Sequence, residues 1–397
     1  MIAARPWGLE PAEEDELFRA LRFTYHKWDT FACGNRLVLT ESLVVDEALH
    51  REIVEAVEGL HGALARWEGR IARDAAALER LAIPPLLHPL IAADESPPLQ
   101  CARYDLFPTP DGRLMVSEFN EDVPGGFNEA HGIPELMGDP GAGFRWEAGL
   151  RERFLPAFSE VGPVALLYAT AYSEDLQHML ILEWWLREAG HRTVLGSPAH
   201  LGGWRRPKVL GEPIEAAFRF YPGEWMARLP NLGAWRRHGA RLPMMNPIRH
   251  LIRQSKLVFS LWRDDEGVPD EDRALIERHC PRTAPFSEEW VEALRAEPER
   301  WVLKEAFGRM GDSVVMGNLV TPKEWEATLA EARKRPGAWL VQERFEVAPV
   351  PFEGGAMYPA LGAYVVNGRF AGYYSRVAPR PLITHEAYHV ATLVRAA

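Results

Sequence analysis

A proline- and glycine-rich turn between two alternating runs constrains this chain more than any other feature. Gln100–Phe107 and Arg113–Asn120 read as antiparallel strands joined by Pro108-Thr109-Pro110-Asp111-Gly112. With Asp111-Gly112 as a two-residue turn, Asp105 faces Glu118 and Arg103 faces Asn120. Residues two apart share a strand face, so these four side chains form one patch. Pro110 also fits a type I turn with Gly112 in a bulge, which shifts the register by one. The first register is preferred because it gathers the polar residues. Two carboxylates and an amide then offer oxygen ligands to a hard divalent cation, and Arg103 can hold a phosphoryl oxygen. Without a ligand, the same four residues read as an ordinary cross-strand network.

Two later segments favour the ligand. Trp301–Lys304 reads as a buried strand ending in a lysine, followed by a Gly308–Asp312 loop whose Gly308 and Gly311 allow backbone N–H groups to approach phosphates. No Gly-Lys-Ser/Thr follows, so this is not a P-loop. The run Trp339–Phe345 is expected to be an extended edge where Gln342 and Glu343 meet an adenine. Alone, the loop is a β-turn and Gln342 and Glu343 are edge polar residues. Together the three segments read as a magnesium–ATP site.

The 397 residues carry 45 Lys+Arg against 56 Asp+Glu, a formal net charge of −11 that argues against a nucleic-acid partner. The 14 tryptophans, Trp184-Trp185 among them, are then expected in the core and pocket walls rather than as a base-stacking platform. Cys33, Cys101 and Cys280 are odd in number and widely spaced, which supports neither a disulfide framework nor a metal knuckle. The amino terminus turns acidic within ten residues, and no apolar run is long enough to span a bilayer. A cytoplasmic protein acting on small molecules, with no membrane or nucleic-acid partner, is expected. The sequence leaves its oligomeric state open.

Residues 11–22 begin with Glu13, Glu14 and Asp15, which suit a helix amino-terminal turn. Helical periodicity covers the stretch 45–81, where Leu49, Ile53, Val57, Leu60, Leu64, Trp67, Ile71 and Leu78 recur at helical steps. Pro84-Pro85 ends that stretch, and a linker is expected up to Pro98. A strand at Pro163–Tyr168, a helix through Glu183–Leu186 and a strand at Thr193–Leu195 give an α/β signature. Further hairpins are expected around the Gly308–Asp312 loop and Asn367-Gly368. The fold class is α/β. Residues 1–95 form a helical front end, 96–245 an α/β unit with the acidic hairpin, and 246–397 a unit with a mobile lid.

From about residue 100 onward the chain resembles the synthetase domain of the glutathionylspermidine synthase family of ATP-grasp ligases. The family's Arg-x-Asp strand and Glu-x-Asn-x-Asp-x-Pro segment are matched by Arg103, Asp105, Glu118, Asn120, Asp122 and Pro124. Tyr221-Pro222-Gly223-Glu224-Trp225 matches a Tyr-Pro-x-Glu-Trp box, in which Glu224 and Trp225 read equally as packing or as substrate contacts. Lys256 follows Asn246, the lid pattern is Lys304, Gly308, Arg309 and Gly311, and the terminal Arg with Ile-Thr is Arg376, Ile383 and Thr384.

The resemblance implies an ATP-grasp unit preceded by a pre-ATP-grasp unit. Asp105, Glu118 and Asn120 would hold two magnesium ions. Lys256, Lys304, Gly308, Arg309, Gly311, Gln342 and Glu343 would hold ATP, and Arg103 and Arg376 would flank the reacting phosphoryl and acyl groups. The implied activity joins a carboxylate, as its acylphosphate, to an amine that can be a polyamine. Gly125-Gly126 stand where the family carries a hydroxyl residue near its peptide substrate, so the resemblance implies a peptide-like acid and leaves open whether it is glutathione. A non-catalytic ATP-binding regulator and a small-acid kinase are the alternatives. His385-Glu386-Ala387-Tyr388-His389 also matches a zinc-protease pattern, but no third ligand follows it.

Overall fold

The computed structural model describes residues 2–32, 34–95, 99–309, 311 and 313–396. Its largest sheet has nine strands, and the main path runs Ile2–Pro6, Val38–Asp46, Tyr388–Arg395, Arg369–Ala378, Gly355–Val366, Cys101–Pro108 and Leu114–Asn120. The front end is helical, with Pro11–Phe23 and Glu47–Ile71, and it also supplies the first two strands of this sheet. Val38–Asp46 lies parallel to the carboxyl-terminal strand, so residues from both chain ends share one sheet. Only long-range pairing reveals that, since neither strand carries a distinctive turn signal.

The predicted 45–81 helix is two helices. Asp46 caps Glu47–Ile71 by accepting from the Leu49 amide at 3.0 Å, and Asp74 caps Ala75–Arg80 in the same way. The long helix buries Ile53, Val57, Leu60, Leu64 and Trp67, so its apolar stripe serves the core. The expected linker after Pro84 is instead partly packed. Pro85–Leu87 forms a helical turn, and His88–Ala92 buries Leu90 and Ile91. Ser96, Pro97 and Pro98 lie outside the described residues, as does Cys33.

Two four-stranded sheets flank the cavity described below. Met244–Met245, Ala216–Phe220, Val164–Tyr168 and Thr193–Gly196 are parallel, with Ser173–Glu188 as the predicted crossover helix. Thr283–Pro285, Trp339–Glu343, Trp301–Glu305 and Val314–Met316 are antiparallel, in that order. The hairpin at Asn367-Gly368 is present, with φ of 48° and 79° at its two turn residues as a type I′ turn demands.

Both registers of the acidic hairpin occur. Near the turn Pro108 pairs with Leu114 and Leu106 with Val116, while the other end pairs Tyr104 with Phe119 and Arg103 with Asn120. Gly112 has a φ of 84° and its amide bonds the Thr109 carbonyl at 3.0 Å, which is the bulged turn that Pro110 favours. A second irregularity between Tyr104 and Leu106 restores the polar pairing. The preferred register therefore holds at Arg103–Asn120 and fails at the turn, and the shift between them falls at Asp105, which does not pair with Glu118.

Candidate functional site

Three of the four patch residues, Arg103, Asp105 and Asn120, are bonded to one another, whereas Glu118 pairs with Lys256. Arg103 donates to Asp105 through Nε at 2.7 Å and Nη2 at 3.0 Å, and Arg376 Nη2 donates to Asp105 Oδ2 at 2.8 Å. Asn120 Nδ2 adds a bond to the same oxygen at 3.2 Å. Gly362 pairs with Asp105 on the neighbouring strand, and a Cβ there would come within 3.0 Å of the Arg103 side chain. Glu118 Oε2 lies 3.2 Å from Lys256 Nζ, which also donates to the Gly308 carbonyl at 2.6 Å. Lys304 donates to the Ser117 carbonyl at 3.1 Å.

Burial pushes the Glu118 carboxyl up, but Lys256, Lys304, Arg376 and Arg103 outweigh it and hold it at about 2. Burial is also the main reason that the Lys304 ammonium is pushed down to about 7, with Glu118 opposing and Lys256 reinforcing the shift. Arg103, Arg376, Lys256 and Lys304 thus surround two carboxylates, leaving an excess of positive charge. The donor set of Asp105, Glu118 and Asn120 suits magnesium, since all three offer hard oxygen atoms. A bare cation would meet net repulsion, whereas one carried by a polyphosphate would meet complementary charge. The residues fit a metal that arrives with phosphates.

Arg309 joins the lid to the box at 221–225. Its Nη2 donates to Glu224 at 2.8 and 3.0 Å and to Asp122 at 3.3 Å. Asp122 is fully buried, with Oδ1 on Arg219 at 2.5 Å and Oδ2 accepting from the Gly223 amide at 2.9 Å. It is therefore a clamp between the acidic hairpin and the parallel sheet. Glu224 meets the lid arginine, which sequence reasoning did not decide. Gly311 has a φ of 77°, and a Cβ there would stand 2.7 Å from the Ile383 carbonyl, so the lid rests on the Ile383-Thr384 segment. Met310 and Asp312 of the expected lid lie outside the described residues.

One expectation fails in its geometry. Trp339–Glu343 is not an edge: it pairs with Thr283–Pro285 on one side and Trp301–Glu305 on the other. The Glu343 amide bonds the Arg282 carbonyl at 2.8 Å, and Gln342 Nε2 donates to Thr283 Oγ1 at 3.0 Å. Thr283–Pro285 is too short to stand out in the sequence, which is why the strand seemed exposed. Gln342 and Glu343 still border the cavity, beside Val302, Val314, Met316, Phe345 and Val347, an apolar slot suited to a flat ring.

All the expected site residues meet at one cavity of about 830 Å³; Lys256 reaches it through Glu118 and Gly308 rather than by lining it. Sequence reasoning missed Lys27, Asp29, Glu129, Asp175 and His178, which line the same space. Asp175 is partly buried, and desolvation, followed by the opposing bond from the Ala169 amide and repulsion from Glu174, leaves its carboxyl raised to about 7. His385 and His389 do not share a helix, since His389 lies on Tyr388–Arg395, and its ring meets Tyr374 Oη at 2.9 Å. No cluster of three His, Cys, Asp or Glu among the described residues is arranged for a metal, which removes the zinc reading. No helix among those residues is long and apolar enough to cross a membrane.

The sequence model of the family described as "Glutathionylspermidine synthase preATP-grasp" matches residues 10–395. Among solved structures, a glutathione synthetase-like effector from Globodera pallida in its apo form aligns with a TM-score of 0.62 at 10% identity. That alignment covers 97% of this chain and 98% of the other. A putative γ-glutamylcysteine synthetase from Methylobacillus flagellatus KT aligns with a TM-score of 0.51 at 15% identity, covering 84% and 88%. At such identities the likeness is one of fold, and together with the family match it gives an α/β fold of the ATP-grasp type. No curated protein gives a significant match.

Proposed function

The chain belongs to the glutathionylspermidine synthase preATP-grasp family, and from that premise we propose that it is an ATP-dependent carboxylate–amine ligase. Family membership supports a synthetase in the general sense; the acylphosphate route and the assignment of residues are our reading. The observation that carries it is the convergence of Arg103, Lys256, Lys304 and Arg376 on Asp105 and Glu118 beneath the Gly308–Gly311 loop. Such a site suits charge neutralisation and positioning, which phosphoryl transfer needs more than a protein nucleophile.

Lys256 and Lys304 would hold the phosphates of ATP, with Gly308, Arg309 and Gly311 closing over them. The apolar slot beside Gln342 and Glu343 would hold the base. Asp105, Glu118 and Asn120 would hold magnesium, which when bound shields the transferring phosphoryl group. Two ions are proposed on the resemblance to the family. A substrate carboxylate would attack the γ-phosphorus and expel ADP, with Arg103 and Arg376 orienting the new acylphosphate. The neutral amine would then add to the acyl carbon, lose a proton and expel phosphate. The hairpin falls in residues 96–245 and the lid in 246–397, so the two proposed units would close on the nucleotide between them.

The test is ADP release with magnesium–ATP across a matrix of peptide acids and amines, including glutathione and spermidine, with Glu118→Gln as control. Release that requires both an acid and an amine supports a ligase. Release with an acid alone, unaffected by any amine, would make the protein a kinase instead.

A further inference from the structure

Beyond Tyr374 the cavity meets a second charged cluster that the ligation chemistry does not use. Lys27 is only 2% exposed, and its Nζ lies 2.6 Å from Glu129 Oε1, 2.9 Å from Asp29 and 3.3 Å from His389 Nε2. Glu129 is 4% exposed, lines the cavity, and its Oε2 has no hydrogen-bond partner. A gap of about 10 Å³ behind it has room for at most one water, which would bring no charge. Burial, then Lys27, hold His389 down at about 3 against the pull of Glu129, and burial holds His178 at about 4. Both rings are therefore neutral near pH 7. The cluster contains two carboxylates, Glu129 buried and Asp29 30% exposed, against one lysine, a formal net negative charge. A buried carboxylate is costly to keep without a matching cation.

Tyr374 separates this cluster from the patch. Arg103 lies 5.1 Å and Arg376 5.7 Å from its ring centroid, while its hydroxyl is 2.9 Å from His389 Nδ1. Lys27 already shows the pairing geometry, its ammonium bridging Asp29 and Glu129.

We propose that Glu129 and Asp29 form a binding site for one primary ammonium group of a substrate, on the side of Tyr374 away from Arg103 and Arg376. This rests on reading the cavity as that of a ligase, because the ammonium anchors a molecule whose other end reaches the two arginines. Such a group can be the α-ammonium of an amino-acid-like acid or the remote ammonium of a diamine.

The experiment is calorimetric titration of the full chain at pH 7.5, with magnesium and a non-hydrolysable ATP analogue present. L-Glutamate and 1,4-diaminobutane probe the two sources, and glutarate and butane-1,4-diol lack the ammonium. At least one ammonium-bearing probe is expected to bind, with affinity falling tenfold or more in Glu129→Gln and in Asp29→Asn, while the ammonium-free compounds bind both variants as they bind the wild type. Glu129→Gln decides where its melting curve matches the wild type; otherwise the more exposed Asp29→Asn decides. Unchanged affinity in the deciding variant, or no binding of either ammonium probe to the wild type, overturns the proposal. Turnover is not read here, so ADP release tests the ligase reading separately.

Discussion

Lys256 Nζ stands 3.2 Å from Glu118 Oε2, and the same ammonium donates to the Gly308 carbonyl, so one lysine ties the acidic hairpin to the lid. The two halves of the site are thus held together before any ligand binds. Ion pairs occupy the very carboxylates that a metal would use.

That arrangement separates two substitutions that look equivalent in the sequence. Asp105→Asn leaves buried Arg103 without its bidentate partner and is expected to cost roughly 3–5 kcal/mol of stability. Glu118→Gln strands Lys256, which is 2% exposed, but Glu118 itself is 25% exposed, so it should cost less stability than Asp105→Asn while losing at least about a hundredfold in ligation rate. Melting curves and ADP release measured on both variants check this. A stable Asp105→Asn would show that Arg103 does not depend on it.

The lid should loosen when its clasp is cut. Glu224→Gln removes the charged partner of Arg309 and leaves only Asp122 at 3.3 Å. Limited proteolysis within residues 306–313 is expected to run about tenfold faster, equivalent to about 1.4 kcal/mol of local opening. Magnesium–ATP should restore protection. Equal cleavage rates in variant and wild type would mean that the pair does not hold the loop.

Gly126 accounts for part of the departure at Gly125-Gly126. Its φ is 102°, and a Cβ there would lie 2.5 Å from the Tyr374 ring. Gly126→Ala should therefore destabilise the protein by about 1–3 kcal/mol through overpacking, beyond the backbone strain. It should also raise the apparent KM of the amine or acid that passes Tyr374. Chemical denaturation and steady-state kinetics report the two effects independently.

Asp175 supplies a pH signature. Its carboxyl is raised to about 7 from an unfolded value of 3.8, so the folded state binds more protons between those limits and stability falls as pH rises through that window. Below pH 4 both states are protonated and the penalty vanishes; above pH 7 it is fully present. Asp175→Asn should thus leave stability unchanged at pH 4 and raise it at pH 8. The gain is at most about 4 kcal/mol and is lessened by solvent reaching this half-buried group. Thermal melts at the two pH values decide. Equal gains at both would place the effect in packing rather than charge.

Much of the site was legible because it is written locally. Arg103, Asp105, Glu118 and Asn120 lie within one hairpin, so their grouping was readable from the sequence, although the irregularity between Tyr104 and Leu106 that sets their register was not. Lys304, Gly308 and Gly311 likewise declare themselves through a strand and its turn. The long helix was readable from its apolar stripe, and only a capping aspartate, Asp74, divided it.

What tertiary structure alone decided is everything that depends on chain segments meeting at long range. Trp339–Glu343 became an interior strand because Thr283–Pro285, too short to carry a pattern, pairs beside it. Lys27 and Asp29 entered the cavity because the front end adds two strands to the sheet that also carries Tyr374 and His389, and there Lys27 meets Glu129 of the helix Phe127–Met137. Charge signs and local periodicity belong to the sequence. Pairing partners, burial and the shifted proton affinities that burial brings arise only once distant segments share one low-dielectric interior.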